Sequence, residues 1–121
     1  MSPAAPRVSR ATLPAMAGKR LSELRSLEYH RAVSDRLRRE PDLLEIARER
    51  VRRWRDGGQL HPQYADAWEE VLARPLDEIL AVLVEDSEHA RTLRHVSPFA
   101  AFLDYRERLR IWRDVKARWA S

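Results

Sequence analysis

Cysteine is absent from this 121-residue chain, and glycine occurs only three times. Without cysteine the chain has no disulfide, no thiolate metal ligand and no cysteine nucleophile, which fits a cytoplasmic location. Three glycines are too few for a glycine-rich phosphate loop. The longest apolar run, residues 79–84, is far shorter than the roughly 20 residues that cross a bilayer. Residues 1–10 also lack the apolar stretch of a secretory signal, so we expect neither a leader nor contact with a membrane.

Positive charge is concentrated at the start of the chain. The formal net charge is +4, and Arg7, Arg10, Lys19 and Arg20 supply all of it within the first 20 residues. The remainder is neutral overall but sorted: residues 66–88 hold eight carboxylates and one arginine, and residues 91–118 hold eight cations and three carboxylates. We expect these two blocks to lie against each other inside one fold. A basic tail on a body with segregated charge is typical of proteins that bind something.

Periodicity divides the chain into two parts. Residues 1–18 are rich in Ala, Pro, Ser and Arg and have no amphipathic period, which predicts a disordered basic arm. Residues 19–121 are predicted to form a single all-α domain, because apolar residues recur at helical spacing and no segment alternates like a strand. The expected architecture is a compact bundle of six or seven short helices.

Proline, glycine and capping residues mark the helix ends. Gly57-Gly58 supplies a left-handed C-terminal stop for the second helix. The helix starts are marked by prolines suited to a first turn, by serines suited to an N-cap and by a pair with the spacing of a capping box. These starts are Pro41, Pro62, Pro75, Ser87, Ser97-Pro98 and the pair Asp104 and Glu107.

No residue set identifies a reaction, so we predict no catalytic residue, no cofactor and no metal. The acidic residues around Glu85 and His89 are interpreted as the solvated first turn of a helix. Arg25 and His30 have the Arg-x4-His spacing of HEPN ribonucleases, as Arg55 and His61 have a related one, which makes an RNA-cleaving domain the third functional hypothesis. Chance alone gives such spacings in a chain with 21 arginines.

Nucleic-acid binding is a further alternative. A helix-turn-helix formed by residues 76–84 and 87–96 would present Arg91, Arg94 and His95 to a groove, and this is our second hypothesis, a DNA-binding transcriptional regulator. The carboxylates of residues 77–88 oppose it, because they would lie where a phosphate strand passes. Non-specific contact with DNA or RNA through the cations of the arm, Arg7, Arg10, Lys19 and Arg20, is favoured instead.

Tryptophans at helical spacing indicate packing surfaces. Trp54, Trp68, Trp112 and Trp119 fall on or near apolar stripes, so core packing is the first explanation for them. Trp119 lies in the last turn of the final helix, where a buried indole needs a body or another chain to dock on. We therefore predict that Trp112 and Trp119 contribute to a surface for a partner protein or a second copy of the chain.

Three segments, residues 25–33, 93–100 and 107–113, share an Arg-rich helical character. They resemble segments of small Arg-rich bacterial helical proteins of toxin–antitoxin-type gene pairs, and the similarity covers residues 20–115. The resemblance implies an antitoxin-like or regulatory protein whose partner is a co-transcribed toxin-like protein, and it transfers no residue role. The favoured hypothesis is accordingly a non-catalytic partner-binding protein with a basic arm for secondary nucleic-acid contact.

Overall fold

Helices account for most of the chain between residues 12 and 120, which is the part that the structure, a computed structural model, describes; side chains are described from residue 18 to residue 119. They are α1 (Thr12–Arg39), α2 (Leu44–Asp56), α3 (Pro62–Leu72), α4 (Leu76–Leu83), α5 (Glu88–His95) and α6 (Tyr105–Ala120). No strand occurs within these bounds. The predicted all-α bundle is confirmed.

The predicted punctuation explains most helix ends. Pro41 opens a 3₁₀ turn, Pro41–Leu43, that leads directly into α2. At the far end of α2, Gly58 adopts φ +70°, and the next amide, that of Gln59, donates to the carbonyl of Trp54 at 2.9 Å. A left-handed residue of this kind costs glycine nothing and other residues about 1–2 kcal/mol, so the chain turns away there.

Side-chain caps confirm two further starts. The amide of Ala90 donates to Ser87 Oγ at 3.1 Å at the start of α5. Before α6 the amide of Glu107 donates to Asp104 Oδ1 at 2.8 Å, and the amide of Asp104 donates to Glu107 Oε1 at 3.2 Å. This reciprocal pair is a capping box with Asp in the usual Ser or Thr position.

The first helix begins earlier than the sequence indicated. It starts at Thr12, so residues 12–18, assigned above to the arm, are helical. Pro14 lies in the first turn, where the absence of its amide hydrogen breaks no hydrogen bond. Arg7 and Arg10 lie outside the described residues, whereas Lys19 and Arg20 lie on α1 and are exposed.

The helix suggested by Ser97-Pro98 does not form. Residues 96–103 make an irregular turn in which Ser97 Oγ accepts from the amide of Phe99 at 3.1 Å. Ala101 then adopts φ +70°, which ends any helical course. We call residues 96–103 the connecting turn, because they join α5 to α6.

The core draws on α1 to α4, on Leu93 of α5 and on the connecting turn. Val33, Val51, Trp68 and Leu83 are almost completely buried, and Phe99 of the connecting turn packs edge-on against Trp68 with ring centroids 5.8 Å apart. The last helix has a different position, because it packs mainly on α1 and contributes Val115 as its one buried apolar residue among those described. None of the helices in the described range is long and apolar enough to traverse a bilayer.

Candidate binding surface on the last helix

Helix α5 does not present its arginines as a recognition helix would. Arg94 is buried, and its guanidinium donates to the carbonyls of Leu83 and Glu85 at 3.2 and 3.0 Å. It thereby supplies hydrogen-bond donors to carbonyl groups at and just beyond the C-terminal end of α4. Burial lowers the pKa of its guanidinium. Nη1 of Arg94 is therefore used inside the fold, which does not favour the predicted contact of Arg94 with nucleic acid.

The remaining residues of that face are poorly placed as well. Arg91 forms an ion pair with Asp86 at 2.9 Å, so a carboxylate sits beside the cation that a phosphate would approach. Of the three residues predicted to face a groove, Arg91, Arg94 and His95, only His95 is exposed. The structure gives the helix-turn-helix hypothesis no basic face on α5.

His30 is a buried residue of the core boundary. Its Nδ1 lies 2.7 Å from the carbonyl of Ser26, and its Nε2 lies 2.8 Å from Ser97 Oγ. The carbonyl can only accept, so Nδ1 carries the hydrogen and the serine hydroxyl donates to Nε2. Desolvation by burial lowers the pKa of His30 to about 4, an effect that the charge of Arg94 reinforces and the bond to Ser26 opposes. The ring is therefore neutral near pH 7 and has both nitrogens occupied.

The residues of the two Arg–His pairs make contacts within the fold. The guanidinium of Arg25 lies over the ring of Trp112, 5.5 Å from its centroid, while His30 bonds to the connecting turn. Arg55 donates to Asp66 and Glu69, both at 2.6 Å. These contacts account for the side chains of Arg25, His30 and Arg55 without a ribonuclease site.

Four arginines of α2 make contacts within the fold. Arg48 forms an ion pair with Glu45, and Arg52 forms one with Glu49. Arg50 instead donates to two carbonyls of the connecting turn, those of Pro98 at 2.7 Å and Ala100 at 2.6 Å. The turn is also held from α1, since the hydroxyl of Tyr29 donates to the carbonyl of Phe99 at 2.7 Å and Arg36 donates to that of Phe102 at 2.9 Å.

The acidic block (residues 66–88) and the basic block (residues 91–118) were expected to lie against each other, but they share few ion pairs among the described residues. Within the described residues the acidic block pairs with Arg55 and Arg74, and its link to the basic block is the local pair of Asp86 and Arg91. The helix α6 lies against α1, where Arg118 comes within 3.8 Å of Glu28. Most of the positive charge of α6 therefore faces solvent. In the described part of the chain, no group of acidic residues and histidines is arranged to hold a metal ion.

An apolar stripe runs along the outside of α6. Tyr105, Trp112 and Trp119 are spaced by seven residues, which places them on one side of a helix, with Leu109 between the first two. Tyr105 is 69% exposed and Trp119 is 40% exposed, whereas Trp112 and Leu109 are half-buried. We call these four residues the aromatic stripe. A shallow depression of about 490 Å³ lies along it, lined by Tyr105, Leu109, Trp112 and Arg108.

Cations border the aromatic stripe. Lys116 lies over the ring of Trp112, with Nζ 4.6 Å from the centroid, and Arg25 approaches the same ring from α1. Further along α6, three exposed arginines take part in no ion pair with a described residue; they are Arg106, Arg110 and Arg113. The surface therefore combines exposed aromatic area with positive charge that nothing in the described fold neutralises.

Two adjoining cavities of about 300 Å³ each lie where α1 meets α6 and the connecting turn. Both are lined by Ser26, Tyr29 and Arg108, and we call the two together the α1–α6 cleft. Trp112 lines the cleft and also belongs to the aromatic stripe. The sequence did not single out Arg108 or Tyr29, because their proximity depends on how two helices far apart in sequence pack.

Of the predicted site residues, Trp112 and Trp119 lie together on the surface of α6, and Lys19 and Arg20 lie elsewhere, on the early turns of α1. Arg91 and Arg94 belong to α5 and serve local contacts. Comparison with protein-family models, with curated proteins and with solved structures found no match for this chain, so no residue role transfers to it from a relative.

Proposed function

We propose that this protein works in the bacterial cytoplasm by binding another protein, and that the aromatic stripe of α6 is its binding surface. The observation that carries the proposal is the exposure of Tyr105 and Trp119 on one face of a helix that packs mainly on α1. Aromatic and arginine side chains are enriched in protein interfaces and dominate their binding energy. A partner that covers the stripe would remove this apolar area from water.

The surrounding charge favours an acidic partner. Arg106, Arg110 and Arg113 on α6 have no carboxylate partner among the described residues, so an acidic segment would find complementary charge on arrival. A helix with apolar residues on one face and carboxylates beside them fits both features. Packing of the stripe against the same stripe of a second copy would oppose like charges across the contact, which disfavours a homodimer through this surface.

Nucleic acid fits this surface less well than protein does. Single-stranded nucleic acid stacks its bases on open aromatic faces, whereas the ring of Trp112 already has Arg25 and Lys116 lying over it. The basic residues near the start of the chain are better placed for such contact. We propose that Lys19 and Arg20, with the preceding cations Arg7 and Arg10, supply a secondary contact to DNA or RNA.

An antitoxin-like or regulatory role is the form of partner binding that we favour. It rests on the resemblance described above and on the presence of a surface suited to another protein. In this role the partner is the product of an adjacent, co-transcribed gene, and the protein itself makes and breaks no bond.

The test is a binding measurement with the products of the adjacent genes. Isothermal titration should detect a complex, and Trp119→Ala should weaken it about thirtyfold or more, because truncating an aromatic anchor costs about 2 kcal/mol or more. The matched control is Ile46→Ala, which truncates a side chain of similar exposure (46%) on α2.

This control should leave the affinity within about twofold of the wild type. Equal losses in the two variants, or affinity unchanged by Trp119→Ala, would contradict the assignment of the stripe. Absence of binding to every adjacent gene product would contradict the antitoxin-like role.

A further inference from the structure

We infer that the α1–α6 cleft is a carboxylate-binding site that receives an Asp or Glu side chain of an acidic protein segment lying on the aromatic stripe. This inference rests on the proposed function, because it names the chemistry by which the same surface selects its partner. The structural basis is the meeting of Arg25 from α1 and Arg108 from α6 at the opening between the two helices.

The cleft is lined by three arginines and by no carboxylate. Arg25, Arg94 and Arg108 line its two cavities, and neither cavity has an Asp or Glu among the described residues that line it. Carboxylates outside the lining, Asp86, Glu23 and Glu85, act on the charge of Arg94, so Arg25 and Arg108 are the lining cations that favour an anion. The neutral state of His30 on its wall adds no charge of either sign.

Arg25 and Arg108 differ from the arginines that the fold uses. Arg48, Arg52 and Arg55 each donate to a carboxylate, and Arg94 donates to two carbonyls. Neither Arg25 nor Arg108 takes part in an ion pair or side-chain hydrogen bond with a described residue. Their donors are therefore available to a ligand, and the planar fork of a guanidinium matches the two oxygens of a carboxylate.

Continuity between cleft and stripe favours a side chain over a free ion. Trp112 lines both, so a partner segment packed on the stripe passes directly over the cleft mouth. The hydroxyl of Ser22 is a further donor on the cleft wall, whereas that of Tyr29 already donates to the carbonyl of Phe99. A carboxylate on a short side chain would reach two guanidinium groups from that position.

The experiment titrates the full chain with hexaglutamate at fixed ionic strength and follows tryptophan fluorescence, to which Trp112 contributes from within the cleft. Arg108→Gln should weaken binding about tenfold, as expected for the loss of one charge-assisted hydrogen bond. The matched control is Arg53→Gln, which removes the same charge from an exposed position on α2, outside both the cleft and the aromatic stripe. It should change the affinity by less than about twofold.

Arg25→Gln serves as a second variant, since it tests the cleft from α1, and circular dichroism verifies that each variant is folded. Equal losses in Arg108→Gln and Arg53→Gln would overturn the inference, because they would indicate diffuse attraction rather than a site. Absence of hexaglutamate binding would overturn it too. Tighter binding of an oligothymidylate of equal charge would assign the cleft to phosphate instead.

The inference and the proposed function can fail separately. If an adjacent gene product loses affinity in Trp119→Ala while hexaglutamate binds Arg108→Gln as tightly as the wild type, only the carboxylate site is refuted. Selective binding of hexaglutamate without any protein partner would support the cleft as a carboxylate site and refute the proposed function.

Discussion

Acidification should destabilise this protein through His30. The pKa of this histidine falls from 6.5 in an unfolded chain to about 4 in the fold, chiefly because burial disfavours the imidazolium. Between these values the unfolded state binds one more proton than the native state, so stability rises with pH. The contribution of His30 to the free energy of unfolding is complete above about pH 6.5 and is lost near pH 4. Between these values it decreases by about 1.4 kcal/mol for each pH unit.

The magnitude is large for a domain of this size. Across that interval the free energy of unfolding should fall by about 3 kcal/mol on account of His30, out of the roughly 5–15 kcal/mol typical of small domains. Other groups titrate in the same interval, so the quantity to measure is a difference between variants. Urea unfolding followed by tryptophan fluorescence, repeated from pH 7 to pH 4, gives it directly.

His30→Gln removes the titrating group. At pH 7 the variant should be less stable than the wild type by about 1–3 kcal/mol, because the bonds to Ser26 and Ser97 are disturbed. Toward pH 4 the difference in the free energy of unfolding should close. Only the wild type contains His30, whose imidazole binds a proton in the unfolded state and stays neutral in the fold. His89→Gln, at an exposed position on α5, is the control and should run parallel to the wild type. A gap between His30→Gln and the wild type that stays constant over this range would refute the reasoning.

Two further substitutions test how the connecting turn and α5 are held. Arg94→Leu leaves the carbonyls of Leu83 and Glu85 without the guanidinium donor. It should lower the free energy of unfolding, measured by urea titration, by about 2–4 kcal/mol. A loss below about 1 kcal/mol would mean that water replaces the guanidinium. Ala101→Gly should raise stability by about 0.5–1 kcal/mol, seen as a higher melting temperature, because the left-handed φ of +70° strains alanine and not glycine. Ala100→Gly, one residue earlier and without positive φ, should instead lower it, and a common sign for both would argue against strain at Ala101.

Local chemistry made the helices predictable. Helix ends are set by contacts between residues close in sequence, so they can be predicted from the sequence. Examples are the capping box of Asp104 and Glu107, the cap at Ser87 and the stop at Gly57-Gly58. The early start of α1 was missed because Pro14 and the small residues around it look like an arm, although a first turn accepts proline.

Long-range packing was not predictable in the same way. Arg50 and Tyr29 reach carbonyls 48 and 70 residues away, and Arg94 is buried although its sequence neighbours suggest a solvated basic face. The stripe of α6 had the period of a core helix, but a helix that packs on one neighbour leaves part of that stripe in water. The surface exposure of Trp119 could be suspected from its place in the last turn, whereas the cleft beside Trp112 could not be predicted.

The peripheral position of α6 also bears on how the molecule opens. Its buried anchorage is small: Val115 is almost completely buried and Ile111 partly so, beside the contacts of Trp112 with Arg25 and of Arg118 with Glu28, whereas Val33 and Leu37 fix the later turns of α1 in the main core. Cooperative units with few buried contacts separate at a lower free energy than the whole fold. We therefore expect the amide hydrogens of α6 to exchange with solvent through a local detachment that leaves the rest of the bundle intact, and a protein that covers this helix to slow their exchange selectively.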